Sequence, residues 1–164
     1  MSAGFAGRPA QFWLTTVARV ALGAVMVTAG ALKISDPGQA VRAVQAYQIL
    51  PQGMTHVVGY GLPLIEIVLG LLLILGLGTR GVGVLAGLFM IVFIAAVSSA
   101  WARGLSIDCG CFGGGGAAGS AGKAWRYLSE ILRDLLFLGF ASWIAVFPSS
   151  RFALDPAALE EVPV

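Results

Sequence analysis

The stretch GVGVLAGLFMIVFIAAVSSAWA, residues 81–102, holds no charged residue. A helix crossing the hydrocarbon core of a bilayer needs about 20 mostly apolar residues, and this run supplies them. Three further runs flank it. Val57 to Gly78 carries one charge, Glu66, and Phe12 to Ile34 carries two, Arg19 and Lys33. The last run, Ile131 to Phe147, has Arg133 and Asp134 near its start and extends backwards through Trp125 to Leu128. Barrel strands are shorter and alternate in- and out-facing character, which none of these runs does. The reading is an all-α integral membrane four-helix bundle with spans at about 12–34, 57–78, 81–102 and 128–147. Residues 1–11 form a polar lead and 148–164 a tail, expected to be a solvated terminus.

Composition supports the same class. Of 164 residues, 58% are hydrophobic and 11% charged, with mean hydropathy +0.89; soluble domains are nearer half apolar and a quarter charged. Eighteen charged side chains cannot coat a soluble globule of this size. Disorder is excluded, because it needs low hydrophobicity and high charge. So is nucleic-acid binding, since the net charge is +2 and the basic residues are scattered. Ala29-Gly30-Ala31 loosely matches a cleavage site. The run before it is too long for a signal peptide, holds Arg19, and is led by the single Arg8. It is read as a span.

The connections differ in character. Asp36 suits a helix N-cap and Pro37 a first helical position. Ala40, Val41, Val44 and Tyr47 then fall at helical spacing, which predicts a short amphipathic helix in the interface, ended by Pro51-Gln52-Gly53. Gly78-Thr79-Arg80-Gly81 is a tight turn, so spans two and three are expected as antiparallel neighbours. Gly83 and Gly87 would allow another helix backbone close to span three. The third connection, 103–124, holds both cysteines and a Gly-rich run from Gly113 to Gly119 that reads as flexible. It lacks the Gly-Lys-Ser/Thr ending of a phosphate loop.

Cys109-Gly110-Cys111 carries the chemistry. The glycine eases the turn that a small disulfide ring requires. Strained, exposed disulfides are the labile or catalytic ones, so the pair reads as a dithiol exchanging electrons with a partner dithiol. Asp108 should disfavour a thiolate on Cys109, while Arg103, Lys123 and Arg126 could offset it. A static disulfide locking the loop, a Cu(I) site and inert thiols stay open as alternatives; no resident metal is expected. His56 reads as an interfacial polar residue.

The intramembrane charges are the second candidate site. Glu66 lies about 16 Å from either end of its span, and a carboxylate there must be neutral, paired or facing a polar cavity. In antiparallel helices Arg19 comes within about 8 Å of it in depth, which predicts an Arg19–Glu66 pair. Lys33 is expected to snorkel to the interface. Arg19, Lys33 and Glu66 would then line a polar site for a proton, a quinone head group or another small ligand, or else fix helix register. Arg133 and Asp134 read as an interfacial pair, and Trp13, Trp101, Trp125 and Trp143 as an aromatic belt.

Several short motifs resemble the MauE branch of the DoxX-like membrane proteins over about residues 13–147. They are Arg19, Ala29-Gly30-Ala31-Leu32-Lys33, Tyr47-Gln48-Ile49-Leu50-Pro51, Pro63-Leu64-Ile65-Glu66, and above all Asp108-Cys109-Gly110-Cys111-Phe112-Gly113, followed by Arg133-Asp134 where the family often has Arg-Asn. The family is similar in layout to the DsbB and vitamin K epoxide reductase proteins, which pass electrons between thiols and quinones. MauE is implicated in maturing a disulfide-rich periplasmic dehydrogenase. The resemblance implies a quinone as possible cofactor. Unlike DsbB, this chain has one cysteine pair with one intervening residue, so it cannot run a two-pair relay alone.

The expected function is membrane thiol–disulfide exchange between Cys109/Cys111 and a thioredoxin-like or secreted dithiol partner at the outer face of the plasma membrane, with a quinone as the onward acceptor that the resemblance implies. The rival is an accessory subunit of a larger membrane complex with a structural disulfide. Termini inside put Arg8, Arg80 and Arg151 in the cytoplasm and Lys33, Arg42, Arg103, Lys123 and Arg126 outside. That opposes the positive-inside rule, whereas the cysteines favour an outer loop.

Overall fold

The computed structural model describes residues 8–110, 116–117, 119, 122–150 and 152–154. Five helices follow in chain order: α1 (Arg8–Ser35), α2 (Pro37–Ala46), α3 (Gln52–Leu75), α4 (Thr79–Ala102) and α5 (Lys123–Val146). A two-stranded ribbon, β1 (Ile107–Asp108) with β2 (Gly116–Ala117), lies between α4 and α5. It is antiparallel, pairing Ile107 with Ala117 and Asp108 with Gly116. The chain is an all-α membrane protein with this small ribbon on one end.

Among the described residues, three helices are long and apolar enough to cross a membrane: Ala10–Ser35 of α1, α3 and α4. α5 matches α3 and α4 at 24 residues, but Glu130, Arg133 and Asp134 interrupt its apolar character. Apolar side chains cover the outer faces as well as the core; Val57, Leu64, Val68, Leu88, Val92 and Leu136 are all exposed. A helix apolar on every side fits a lipid surround.

α3 starts five residues earlier than the hydropathy suggests. Pro51 caps it, and Thr55 satisfies its own hydroxyl on the Gln52 carbonyl at 2.6 Å, so the polar first turn stays helical. α3 ends at Gly76, whose φ of 69° is left-handed, and the Leu77 N–H reaches back to the Leu72 carbonyl at 3.0 Å. This is the usual way of closing a helix with glycine. The turn to α4 is therefore 76–78. It makes α3 and α4 antiparallel, yet their mutual contact is slight; the main packing pairs are α1 with α3 and α4 with α5.

Glycines set the first pairing. A Cβ on Gly23 would sit 2.7 Å from the Gly70 carbonyl oxygen, one on Gly70 2.7 Å from the Gly23 oxygen, and one on Gly30 2.7 Å from the Pro63 oxygen. Only bare backbones can approach so closely. The expected close approach at Gly83 is also present, with α5 as the partner: its Cβ would lie 3.0 Å from Ile144. Between the pairs, Leu22, Met26, Leu73, Ala86 and Ile144 form the central core.

α2 keeps the predicted cap: Asp36 Oδ1 accepts the Gln39 N–H at 2.9 Å. It ends at Ala46, well before Pro51, because Gln48 turns left-handed at φ 51°. The described part of the tail is only partly exposed: Phe152 and Leu154 face outwards. Ser150 and Ala153 are buried, and the Leu154 N–H bonds the Leu75 carbonyl at 3.1 Å. The chain strapped across the helix ends covers backbone carbonyls that α3 leaves open. Asp155, Glu160 and Glu161 lie outside the described residues.

Candidate functional site

The C-terminal ends of α1 and α4, the N-terminal ends of α3 and α5, helix α2 and the ribbon meet at one end of the bundle. Lys33 does not snorkel outwards. Its Nζ lies 2.5 Å from Glu66 Oε1, with both side chains buried, and 5.6 Å from the Phe93 ring centroid. Side chains on a helix lean towards its N-terminus. Lys33 therefore reaches inwards from the end of α1, and Glu66 on antiparallel α3 leans to meet it.

The same rule separates Arg19 from Glu66, against the expected pair. The glycine seam sets Arg19 beside Gly76, ten residues and about 15 Å along α3 from Glu66. Arg19 leans away and donates through Nη2 to the Phe152 carbonyl at 3.3 Å. It belongs to the tail end of the bundle, with Thr15 and Trp143. Trp143 Nε1 donates to Thr15 Oγ1 at 3.1 Å, so this tryptophan ties α5 to α1, whereas Trp13 and Trp125 are largely exposed, as a belt requires.

Arg133 and Asp134 do pair, with Asp134 turned into the bundle. Asp134 is buried while Arg133, 3.1 Å from it, is partly exposed. With Glu66, Met26 and Met90 they line a cavity of about 30 Å³, room for about one water. Glu66 Oε2 and Asp134 Oδ2 have no hydrogen-bond partner among the described residues, so the inner face of α5 continues the polar cluster begun by Lys33 and Glu66.

Cys109 is buried at the ribbon. The segment leading to it is pinned rather than loose. The Tyr127 hydroxyl donates to the Leu105 carbonyl at 2.9 Å and accepts from the Ile107 N–H at 3.3 Å, and Trp101 stacks on Tyr127 with centroids 6.0 Å apart. Gly110, at φ 70°, donates its N–H to Asp108 Oδ1 at 3.0 Å. The basic residues expected to favour a thiolate bond backbone carbonyls instead: Arg103 to Tyr47 and Gln48, Lys123 to Gly104, Arg126 to Gly119. His56 sits beside Tyr60. Cys111 and most of the Gly-rich run lie outside the described residues.

Glu130 is the residue that sequence reasoning missed. It is buried and shares a side-chain hydrogen bond with Cys109. Its carboxylate, the Asp108 carboxylate and Cys109 Sγ all lie within 4.8 Å of one another. The available signal was the spacing of Glu130 and Asp134, four apart and so on one helix face. Two hard carboxylates beside one thiol suit Cu(I) poorly.

Cys109 and Lys33 also face a common space. A chamber of about 240 Å³ is walled by α2, α3, α4 and the ribbon, with Tyr47, Leu62, Phe89 and Phe93 among its apolar lining and Lys33, Cys109 and Gly110 at its polar points. An apolar cavity of about 150 Å³ holds benzene, so the chamber has room for a substituted ring. The Lys33 ammonium is the donor that a ring carbonyl would need.

The family model for methylamine utilisation protein MauE matches residues 11–147. The chain belongs to the MauE family. The match covers every span and both candidate regions, from Arg19 to Asp134. No curated protein and no solved structure matches the chain.

Proposed function

We propose that this MauE-family chain is a four-span plasma-membrane thiol–disulfide redox protein. Cys109 and Cys111 exchange with a thioredoxin-like or secreted dithiol protein at the outer face. α5 is the fourth span, with Asp134 turned towards the cavity it shares with Glu66 and Glu130 towards Cys109 rather than to lipid. The family's description, methylamine utilisation protein, supports a partner in that process.

The observation that carries this reading is Cys109 in the wall of an apolar chamber that Lys33, the buried partner of Glu66, also lines. A chamber of that size and lining fits a quinone head group, which when bound takes up two electrons and two protons. The chain's own part is to pack the ring against the wall that Phe89 and Phe93 form, offer a donor from Lys33, and keep bulk water from the thiol.

The test is made in intact cells. Each cysteine is replaced singly with Ser, and mixed disulfides are trapped before labelling with a membrane-impermeant thiol reagent. The reading expects a covalent partner adduct on at least one variant and labelling from outside after reduction. No adduct on either variant, with assembly lost only when both cysteines are replaced, would favour the accessory-subunit reading.

A further inference from the structure

The inference concerns Glu130 and rests on the thiol-exchange reading. Cys109 is 7% exposed, and a thiol must lose its proton before it can attack. Bulk water is poorly placed to take that proton. The hydrogen bonds of Arg103, Lys123 and Arg126 go to backbone carbonyls. What lies against the sulfur is a carboxylate. Glu130 is hydrogen-bonded to Cys109, itself 9% exposed, and its second oxygen has no hydrogen-bond partner among the described residues. Asp108 is a poorer acceptor, since its Oδ1 already takes the Gly110 N–H.

We propose that Glu130 is a catalytic residue of the exchange, the base that takes the Cys109 proton as Sγ attacks a disulfide. The step balances. The S–H bond breaks and its proton passes to the Glu130 carboxylate. Sγ bonds one sulfur of the incoming disulfide, whose S–S bond breaks, and the departing thiolate carries away the electron pair and takes up a proton. The groups facing Glu130 are Asp108 from the ribbon and Arg133 and Asp134 from its own helix. Tyr47 of α2 donates to the Cys109 carbonyl at 3.5 Å, and Lys33 of α1 acts on Asp134. A purely structural hydrogen bond would hold Cys109 in place without governing its proton.

The two roles separate in a pH profile. The full chain is purified into lipid nanodiscs with Cys111→Ser, so that Cys109 alone reacts, and mixed with 4,4′-dithiodipyridine. The release of pyridinethione is followed from pH 5 to 9. With Glu130 present the rate levels off below the ordinary thiol ionisation near pH 8.5. With Glu130→Gln, which keeps the shape and the hydrogen-bonding capacity, the rate falls about 100-fold at pH 6 and climbs tenfold per pH unit. A Glu130→Gln profile parallel to that of the parent, faster or slower, overturns the proposal. So does a parent profile that climbs tenfold per unit throughout, a result that needs no variant to fold. A plateau that depends on Glu130, in a chain that traps no partner in cells, sustains Glu130 as the base for Cys109 and sinks the exchange with a protein partner.

Discussion

Arg19 and Glu66 are both charged residues buried within the helices, about 15 Å apart along α3. Arg19 is spent on backbone: it holds the Phe152 carbonyl and so the strap of chain across the helix ends. Glu66 is paired on one oxygen only. Its other oxygen faces a water-sized cavity, and its partner Lys33 lines a larger apolar chamber that also contains the thiol of Cys109. Burial of a charge marks both residues alike. What separates them is what lies alongside: Arg19 sits against a strap of the chain itself, whereas Glu66 and Lys33 border spaces that a ligand can enter.

The comparison breaks most easily at Lys33. Lys33→Met leaves Glu66 buried without its partner and is expected to cost about 3–5 kcal/mol, read by thermal unfolding in detergent. Lys33→Met combined with Glu66→Leu should recover most of that stability while removing the polar point of the chamber. Next comes the seam that sets the register. Gly70→Val drives a methyl-bearing side chain onto the Gly23 backbone and should cost about 1–3 kcal/mol, with loss of Lys33-dependent ligand binding as α1 shifts along α3. Arg19→Met should cost about 1–3 kcal/mol through the orphaned Phe152 carbonyl and release the tail to limited proteolysis, with the rate of Cys109 alkylation unchanged. An altered alkylation rate would join the two ends and sink the contrast drawn between them. The smallest effect is expected at Tyr127→Phe, about 1 kcal/mol for the lost hydroxyl bridge, visible as faster amide exchange at Ile107.

Much of the architecture was legible in the residues. The long apolar runs, the Asp36-Pro37 cap of α2 and the close approach at Gly83 all follow from local rules. The pairing of charges did not, because it depends on helix register to within a turn. That register is set by Gly23 and Gly70, which hydropathy does not distinguish from other small residues. The lean of side chains then decides between Arg19 and Lys33 as the partner of Glu66. The inner face of α5 was hidden for another reason. Glu130, Arg133 and Asp134 stand where a span would leave the membrane, and charges there ordinarily meet water. Only the packing of α5 on α4 shows that this face turns inwards.

The 2.5 Å Lys33–Glu66 contact has an electrical consequence. With the proton on either partner the pair sums to zero charge. An elementary charge moved across a bilayer couples to its potential at about 2.3 kcal/mol per 100 mV, whereas a neutral pair couples only through its small dipole. An uncharged molecule therefore enters or leaves the chamber with the same affinity in an energised membrane as in a collapsed one. Neutralising only one partner leaves a fixed monopole at that depth, one that acts on any charge arriving beside it.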